Sequence, residues 1–309
     1  TVLTLYIYIY KDVFLYIYIM RILVIEHFHH KNEAGLNSIL RCLCWEFKYG
    51  AVKDIPNYDI IYSPNKPINT SQYPNKKFIF GPHFSVFPTR KLLNINNIHN
   101  NSIYIQPSEW AADVWINKKA NVYVPVVPFP FPVATERFKP LNSGGGDKVF
   151  IYFKSRKQEE LDILTTFLDK KNIIYELFDY IKRYDEKDYI KCLQESAYGI
   201  WLGRHESQGF ALEEALSYDV PLLVWDVTSM NQEEGYNYDN IPATCIPYWD
   251  ERCGEIFYKR EEFESKFDEF ISKLGTYKPR EYILENLSIK ECAENLKRLI
   301  QEIKPNEIK

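Results

Sequence analysis

The sequence predicts an α/β protein built from two successive, doubly wound parallel sheets. Three observations predict it. Short apolar runs of strand length alternate with windows whose apolar residues return at helical spacing, as in parallel sheets covered by crossover helices. A proline-rich passage at 121–140, followed by a glycine-rich stretch at 142–146, separates these runs into two sets. Residues 198–226 read strand, loop, helix, strand, a βαβ unit whose loop lies at the carboxyl end of the first strand, where open α/β sheets bind ligands.

A length of 309 residues suits two domains, and a 46% hydrophobic content is ample for two cores. With a net charge of −4 there is no global basic field, so nucleic acid is not an expected partner. The six cysteines (Cys42, Cys44, Cys192, Cys245, Cys253 and Cys292) form no CxxC pair. They read as reduced thiols of a cytoplasmic protein. The sequence has no internal repeat, no phosphate-binding P-loop and no Gly-x-Ser-x-Gly elbow.

Taken in order, residues 1–19 alternate Tyr and Ile and are interrupted by Lys11 and Asp12. They are too broken for a membrane-spanning helix and lack the basic start and small-residue cleavage site of a signal peptide. They read as an upstream extension, with translation starting at Met20; an interfacial membrane anchor is the competing reading. Residues 21–26 are a buried strand. The loop after it carries His27, His29, His30, Lys31 and Gly35, and 36–47 has helical spacing. The clustered histidines have no spaced acidic or cysteine partner, so a polar loop is favoured over a metal site. Residues 58–62, 77–80 and 103–105 are further strands, and Ser108 is the expected N-cap of a helix beginning at Glu109.

The prolines at 125, 128, 130 and 132 exclude a helix or a central strand, which places a domain boundary near residue 140. Residues 1–19 thus form an extension, 20–140 a first domain and 141–309 a second. In the second, 148–153 is a strand that ends in Lys154, Ser155, Arg156 and Lys157. Helix 159–169, strand 173–178 and helix 188–194 lead into the βαβ unit. Amphipathic helices at 261–273 and 289–303 close the chain.

Within the βαβ unit, Glu206 stands in the loop and Glu214 about two turns into the helix, with Ser207, Gln208, Gly209 and Phe210 between them. A glycine here admits close backbone approach, and the free N–H groups and dipole of the helix start favour phosphate. Phosphate repels carboxylates, so the two glutamates are suited to neutral sugar or ribose hydroxyls. On the helix, Glu213 and Glu214 are available to face outward.

Glu206-Ser-Gln-Gly-Phe-x3-Glu214-Ala-Leu, followed by Asp219-Val-Pro and an apolar strand, resembles the Glu-x7-Glu motif of retaining glycosyltransferases of the GT-B fold, the group 1 or family 4-like enzymes. Ser-Gln-Gly replaces the family's first glycine-aromatic pair, and Asp219 stands where glycine is common. The passage at 121–140 resembles the family's interdomain segment, with Phe129-Pro130 in place of Asn-Gly.

The resemblance implies two Rossmann-like domains facing across a cleft and transfer of a sugar, with retained configuration and without a metal or other cofactor. The partners it implies are a nucleotide-sugar donor and a glycan, lipid-linked or protein-linked acceptor. Peripheral membrane contact stays open. It implies Glu206 and His83 as catalytic, and Lys154, Arg156 and Lys157 as the pool that binds the donor diphosphate, although their spacing departs from the family's Gly-Arg-x4-Lys. It implies Ser207, Gln208, Gly209, Phe210 and Glu214 on the donor, and Gly35 and His30 in a loop on the acceptor side. A GT-B-like epimerase or phosphorylase, or a non-catalytic scaffold, is the alternative.

Overall fold

The computed structural model describes residues 20–89, 100–141 and 146–304. The segment 1–19 and most of the glycine-rich stretch lie outside the described residues. The first sheet contains β1 (Arg21–Ile25), β2 (Glu46–Gly50), β3 (Ile60–Ser63), β4 (Lys77–Phe80), β5 (Ser102–Gln106) and β6 (Val126–Pro128), in the order β2-β1-β3-β4-β5-β6. The second contains β7 (Lys148–Phe153), β8 (Tyr175–Asp179), β9 (Ser196–Leu202), β10 (Leu222–Trp225) and β11 (Gly254–Phe257), in the order β11-β10-β9-β7-β8. Every pairing between these strands is parallel.

Each sheet has a switch point, where the chain steps from one side of its first strand to the other. In the first sheet it lies between β1 and β3, and in the second between β7 and β9. Loops leaving the carboxyl ends of such a strand pair diverge and open a crevice. In the second sheet those loops begin at Lys154 and Gly203.

The helices are α1 (His30–Cys42), α2 (Glu109–Asn117), α3 (Gln158–Lys170), α4 (Glu186–Gln194), α5 (Phe210–Ser217), α6 (Phe263–Lys273), α7 (Pro279–Asn286) and α8 (Ile289–Glu302). Helix α1 corrects the sequence reading, which placed a loop through Gly35 and a helix over 36–47. The Glu33 carboxylate accepts the backbone N–H of Phe28 at 3.2 Å and pairs with His27 at 2.9 Å, so local contacts start the helix at His30. Cys44 then takes a left-handed turn (φ 54°), and the chain continues into β2 at the sheet edge, where Phe47 and Tyr49 pack on the core and alternate with exposed residues.

Strand β6 falls in the proline-rich passage, and it too is an edge strand, where Pro128 removes no ladder hydrogen bond from the sheet interior. Ser108 does take the N-cap position of α2. Its hydroxyl makes no capping bond, however, and is buried without a partner.

Helix α8 does not cover the second sheet, which precedes it in the chain. Its buried residues Cys292, Ala293, Leu296 and Ile300 join Leu36, Ile39 and Leu40 of α1 in the core of the first sheet. Burying a Leu or Ile contributes about 1.5–3 kcal/mol, so this amphipathic face ties the end of the chain to its beginning.

Candidate active site

The second sheet's switch point brings together two residues that lie far apart in the chain. Lys154 leaves β7 and Glu206 lies in the loop after β9, and Nζ of Lys154 stands 2.6 Å from Oε1 of Glu206. Both side chains are largely buried. The ammonium also sits 4.2 Å from the ring centroid of Tyr180. Backbone contacts fix the loop: the Arg204 N–H donates to the Lys154 carbonyl at 2.9 Å, and the Glu206 N–H to the Thr244 carbonyl at 3.0 Å. The Trp110 indole N–H, from the first sheet's α2, donates to the Glu206 carbonyl at 2.9 Å.

Gly209 ends the loop in the left-handed region (φ 88°), which turns the chain into α5. The first-turn N–H groups of α5 have no intrahelical acceptor. Ser207 is exposed beside them, and Phe210 is half-buried. The Gln208 amide is committed to the protein. Its Oε1 accepts the Phe131 N–H at 2.9 Å, and its Nε2 donates to the Phe131 carbonyl at 3.2 Å and to Glu213 at 2.8 Å. Gln208 therefore stitches the loop to the proline-rich passage.

The expectation that Glu213 and Glu214 face outward is overturned, because both are buried. Burial pushes the Glu213 carboxyl well above the usual range, and one of its oxygens has no partner. Glu214 accepts from Lys31 Nζ at 2.8 Å, a partner that α1 supplies across the chain. Burial raises the Glu214 carboxyl and Lys31 pulls it back down. The α5 helix is covered on more than one side, so its charged pair could not be assigned to solvent from one helix's spacing.

Of the three basic residues after β7, only Lys154 reaches the cavity. Arg156 is buried, and its guanidinium is held by the carbonyls of Gly203 (3.1 Å) and Trp225 (2.9 Å) and by both oxygens of Glu160 (3.0 and 2.7 Å). Four of its five N–H donors are thus occupied. Lys157 is exposed at the start of α3. The expected diphosphate role of both is therefore not supported by their positions: one closes the strand ends internally, and the other faces water.

His83 follows the turn after β4, with its edge exposed and its Nε2 3.3 Å from the Asn32 amide. Burial by its neighbours, with His29 adding to it, holds the imidazole down to about 4, so it is neutral at pH 7. His30 is the first residue of α1, its ring 4.7 Å from that of His29. Gly35 lies inside α1. A Cβ there would stand 3.1 Å from Pro132 Cδ, so this glycine serves close packing of α1 on the proline-rich passage instead of opening a helix start to a ligand. Neither residue is in a loop, which corrects the expected acceptor-side loop.

One cavity of about 360 Å³ is walled by His83, Lys154, Glu206 and Phe210, with His30 and Gln208 also on its surface. Glu214 lies in an adjoining cavity of about 180 Å³, together with Gly35, Arg137 and Tyr184. Lys31 and Phe210 form part of both walls. The volume of the larger cavity is in the range of small-molecule sites.

No family model and no curated protein matches the sequence. Among solved structures, the chain is similar to the catalytic domain of Starch Synthase IV from Arabidopsis thaliana, a structure bound to ADP and acarbose. The TM-score is 0.50 and the identity 9%, over 88% of this chain and 77% of that one. UGT89C1 of Arabidopsis thaliana, complexed with UDP-L-rhamnose, aligns over 93% of this chain and 100% of that one at 11% identity, but its TM-score of 0.36 is too low to carry an argument. At these identities the first likeness is one of fold alone.

Sequence reading missed Lys31 and Arg204. Arg204 lines the larger cavity and pairs with Glu233 at 3.0 Å. Its position two residues beyond a buried strand, at a βα turn, was the available signal. Lys31 had none, because its partner lies 183 positions away. Among the described residues no group of three or more His, Cys, Asp or Glu is placed to hold a metal ion, and no helix is long and apolar enough to cross a membrane.

Proposed function

We propose that this protein is a retaining GT-B glycosyltransferase that moves a sugar from a nucleotide-diphosphate donor to an acceptor hydroxyl. In this reading the first sheet and the second belong to two domains that meet across a cleft, with the boundary near residue 140. The observation that carries it is the Lys154–Glu206 pair at the second switch point, in one cavity with neutral His83 from the first sheet. The fold likeness to a starch synthase domain bound to ADP and acarbose supports the same class.

An ammonium has three N–H donors, so Lys154 can hold Glu206 and still offer a proton to a phosphate oxygen. Together with the first-turn N–H groups of α5 and the positive end of its dipole, it stabilises charge that develops on the leaving diphosphate. Glu206, oriented by Lys154 and by its own fixed backbone, accepts hydrogen bonds from sugar hydroxyls. Glu214 serves the ribose, with Lys31 holding its carboxylate charged. The bond from the anomeric carbon to the phosphate oxygen breaks, one to the acceptor oxygen forms, and the acceptor hydroxyl's proton passes to the leaving phosphate oxygen. His83, neutral at pH 7, stands beside the reacting sugar. These groups supply the positive charge the leaving group needs, so the reading calls for no metal ion. The setting we propose is cytoplasmic.

Calorimetric titration with UDP, GDP, ADP and dTDP, without added metal, tests this. One nucleotide should bind, and Lys154→Ala should weaken it by about tenfold or more, the ~1.4 kcal/mol expected of one charge-assisted contact. Glu206→Ala should lower turnover more than affinity. If all four nucleotides fail to bind, the reading is rejected.

A further inference from the structure

Beside the cavity of Glu206 lies a second one, of about 420 Å³, that the site described above does not use. The two share His83, Gln106, Arg204 and Ser207 in their walls, so they meet at the exposed edge of His83. The far wall is aromatic. Tyr236 and Tyr238 stack on each other, with ring planes within 7° of parallel and centroids 5.6 Å apart, and the pair leaves an outer aromatic face. Trp110 stands edge-on to His205, 5.6 Å away.

The polar groups of this cavity are arranged for a ligand without charge. Its wall contains one cation, Arg204, and one carboxylate, Glu233, and they neutralise each other at 3.0 Å. His205 is buried, and its Nδ1 has no hydrogen-bond partner. Burial, with Arg204 and Lys154 nearby, holds that imidazole down to about 3, so it adds no charge at pH 7. A phosphate group would find no unpaired cation here, and an alkyl chain would strip water from the Arg204–Glu233 pair and the Gln106 amide without replacing its hydrogen bonds, at a cost of about 1–3 kcal/mol for each group left short. A sugar ring matches both halves of the wall. Its C–H faces lie on aromatic rings, and its hydroxyls both donate and accept.

We propose that this cavity is the acceptor subsite and that it takes an uncharged carbohydrate. The proposal rests on the transferase reading above, and it narrows the acceptor to a neutral glycan, stacked on the outer face of the Tyr236–Tyr238 pair, that directs one hydroxyl past His83 towards Glu206. The loop between β10 and β11 then selects the acceptor, while the loop between β9 and α5 serves the donor.

The test is binding of the full-length protein to an array of neutral and charged oligosaccharides, followed by calorimetry on the hits and on UDP, GDP, ADP and dTDP. Tyr236→Ala and Tyr238→Ala are the variants; Tyr236 is 62% exposed, so its removal should leave the melting temperature in place. Neutral glycans should bind, each variant should weaken them by about tenfold, and nucleotide affinity should change less than about twofold. Binding of charged glycans only, of no glycan, or of neutral glycans equally by both variants overturns the proposal. Neutral glycan binding that depends on the tyrosines, with no nucleotide bound, would uphold the sugar site and remove the transferase reading instead.

Discussion

Replacing Lys31 with Met should cost stability in a pH-dependent way. The Lys31–Glu214 pair joins α1 to α5 at 2.8 Å, with the Glu214 side chain 9% exposed and that of Lys31 24% exposed. Removing one partner of a fully buried pair costs about 3–5 kcal/mol, because the other charge is left uncompensated. Lys31 is partly wet, so the cost here should be about 2–3 kcal/mol at pH 7. The folded-state carboxyl of Glu214 is already raised above its ordinary 4.5, and Lys31 opposes the rise. A raised carboxyl contributes stability that is present below the unfolded value and lost as pH climbs through the folded one. Without Lys31 that loss deepens, so the deficit of the variant should be largest at pH 7 and shrink towards pH 4. Equilibrium urea unfolding at both pH values measures it, and adding Glu214→Gln should recover most of the loss. A deficit below about 0.5 kcal/mol, or one that does not shrink on acidification, would refute the assignment of a buried, charge-compensated Glu214.

Other perturbations separate structural residues from ligand-facing ones. Arg156→Met should destabilise by about 3 kcal/mol, since it orphans the Gly203 and Trp225 carbonyls, yet lower nucleotide affinity less than Lys154→Ala; calorimetry and unfolding together check it. Gly199→Ala puts a Cβ 2.3 Å from Phe150 in the middle of the second sheet and should cost about 3 kcal/mol or more. Gly209→Ala meets nothing nearer than 3.7 Å and should cost only the left-handed backbone, about 1–2 kcal/mol, so thermal melting should rank the two glycines in that order. His205 is held to about 3 in the fold against 6.5 unfolded, so its neutral form contributes stability above about pH 6.5 that is lost as pH falls. Wild type should therefore lose stability relative to His205→Gln between pH 7 and pH 4.

Much of the fold was legible because each element carries its own signal. The run at 148–153 coincides with β7 and that at 222–225 with β10, both apolar enough to be buried on two faces, and the spacing from Phe210 marks α5. Edge strands were legible only in part: the run at 173–178 overlaps the edge strand β8, whereas β2 was not read as a strand. Glu46–Gly50 alternates only Phe47 and Tyr49, too short a pattern to stand apart from the helical spacing that precedes it, and pairing with β1 makes it a strand. The start of α1 was misread because Glu33 acts back on Phe28 and His27, a local contact that apolar periodicity does not register.

The sequence by itself determined which residue types stand at the carboxyl ends of β7 and β9: a lysine, an arginine, two glutamates eight positions apart, and a glycine before a helix. Only the tertiary structure decided which of them face the cavity. Lys154 and Arg156 are two residues apart, and their fates differ because one reaches Glu206 across the switch point while the other is captured by strand-end carbonyls and Glu160. The partner of Glu214 comes from α1, and the floor under Gln208 from the proline-rich passage. Chain distance carries no information about such pairs. They form because a buried charge or amide must find its partner in whichever segment lies opposite, here α1 for Glu214 and the proline-rich passage for Gln208.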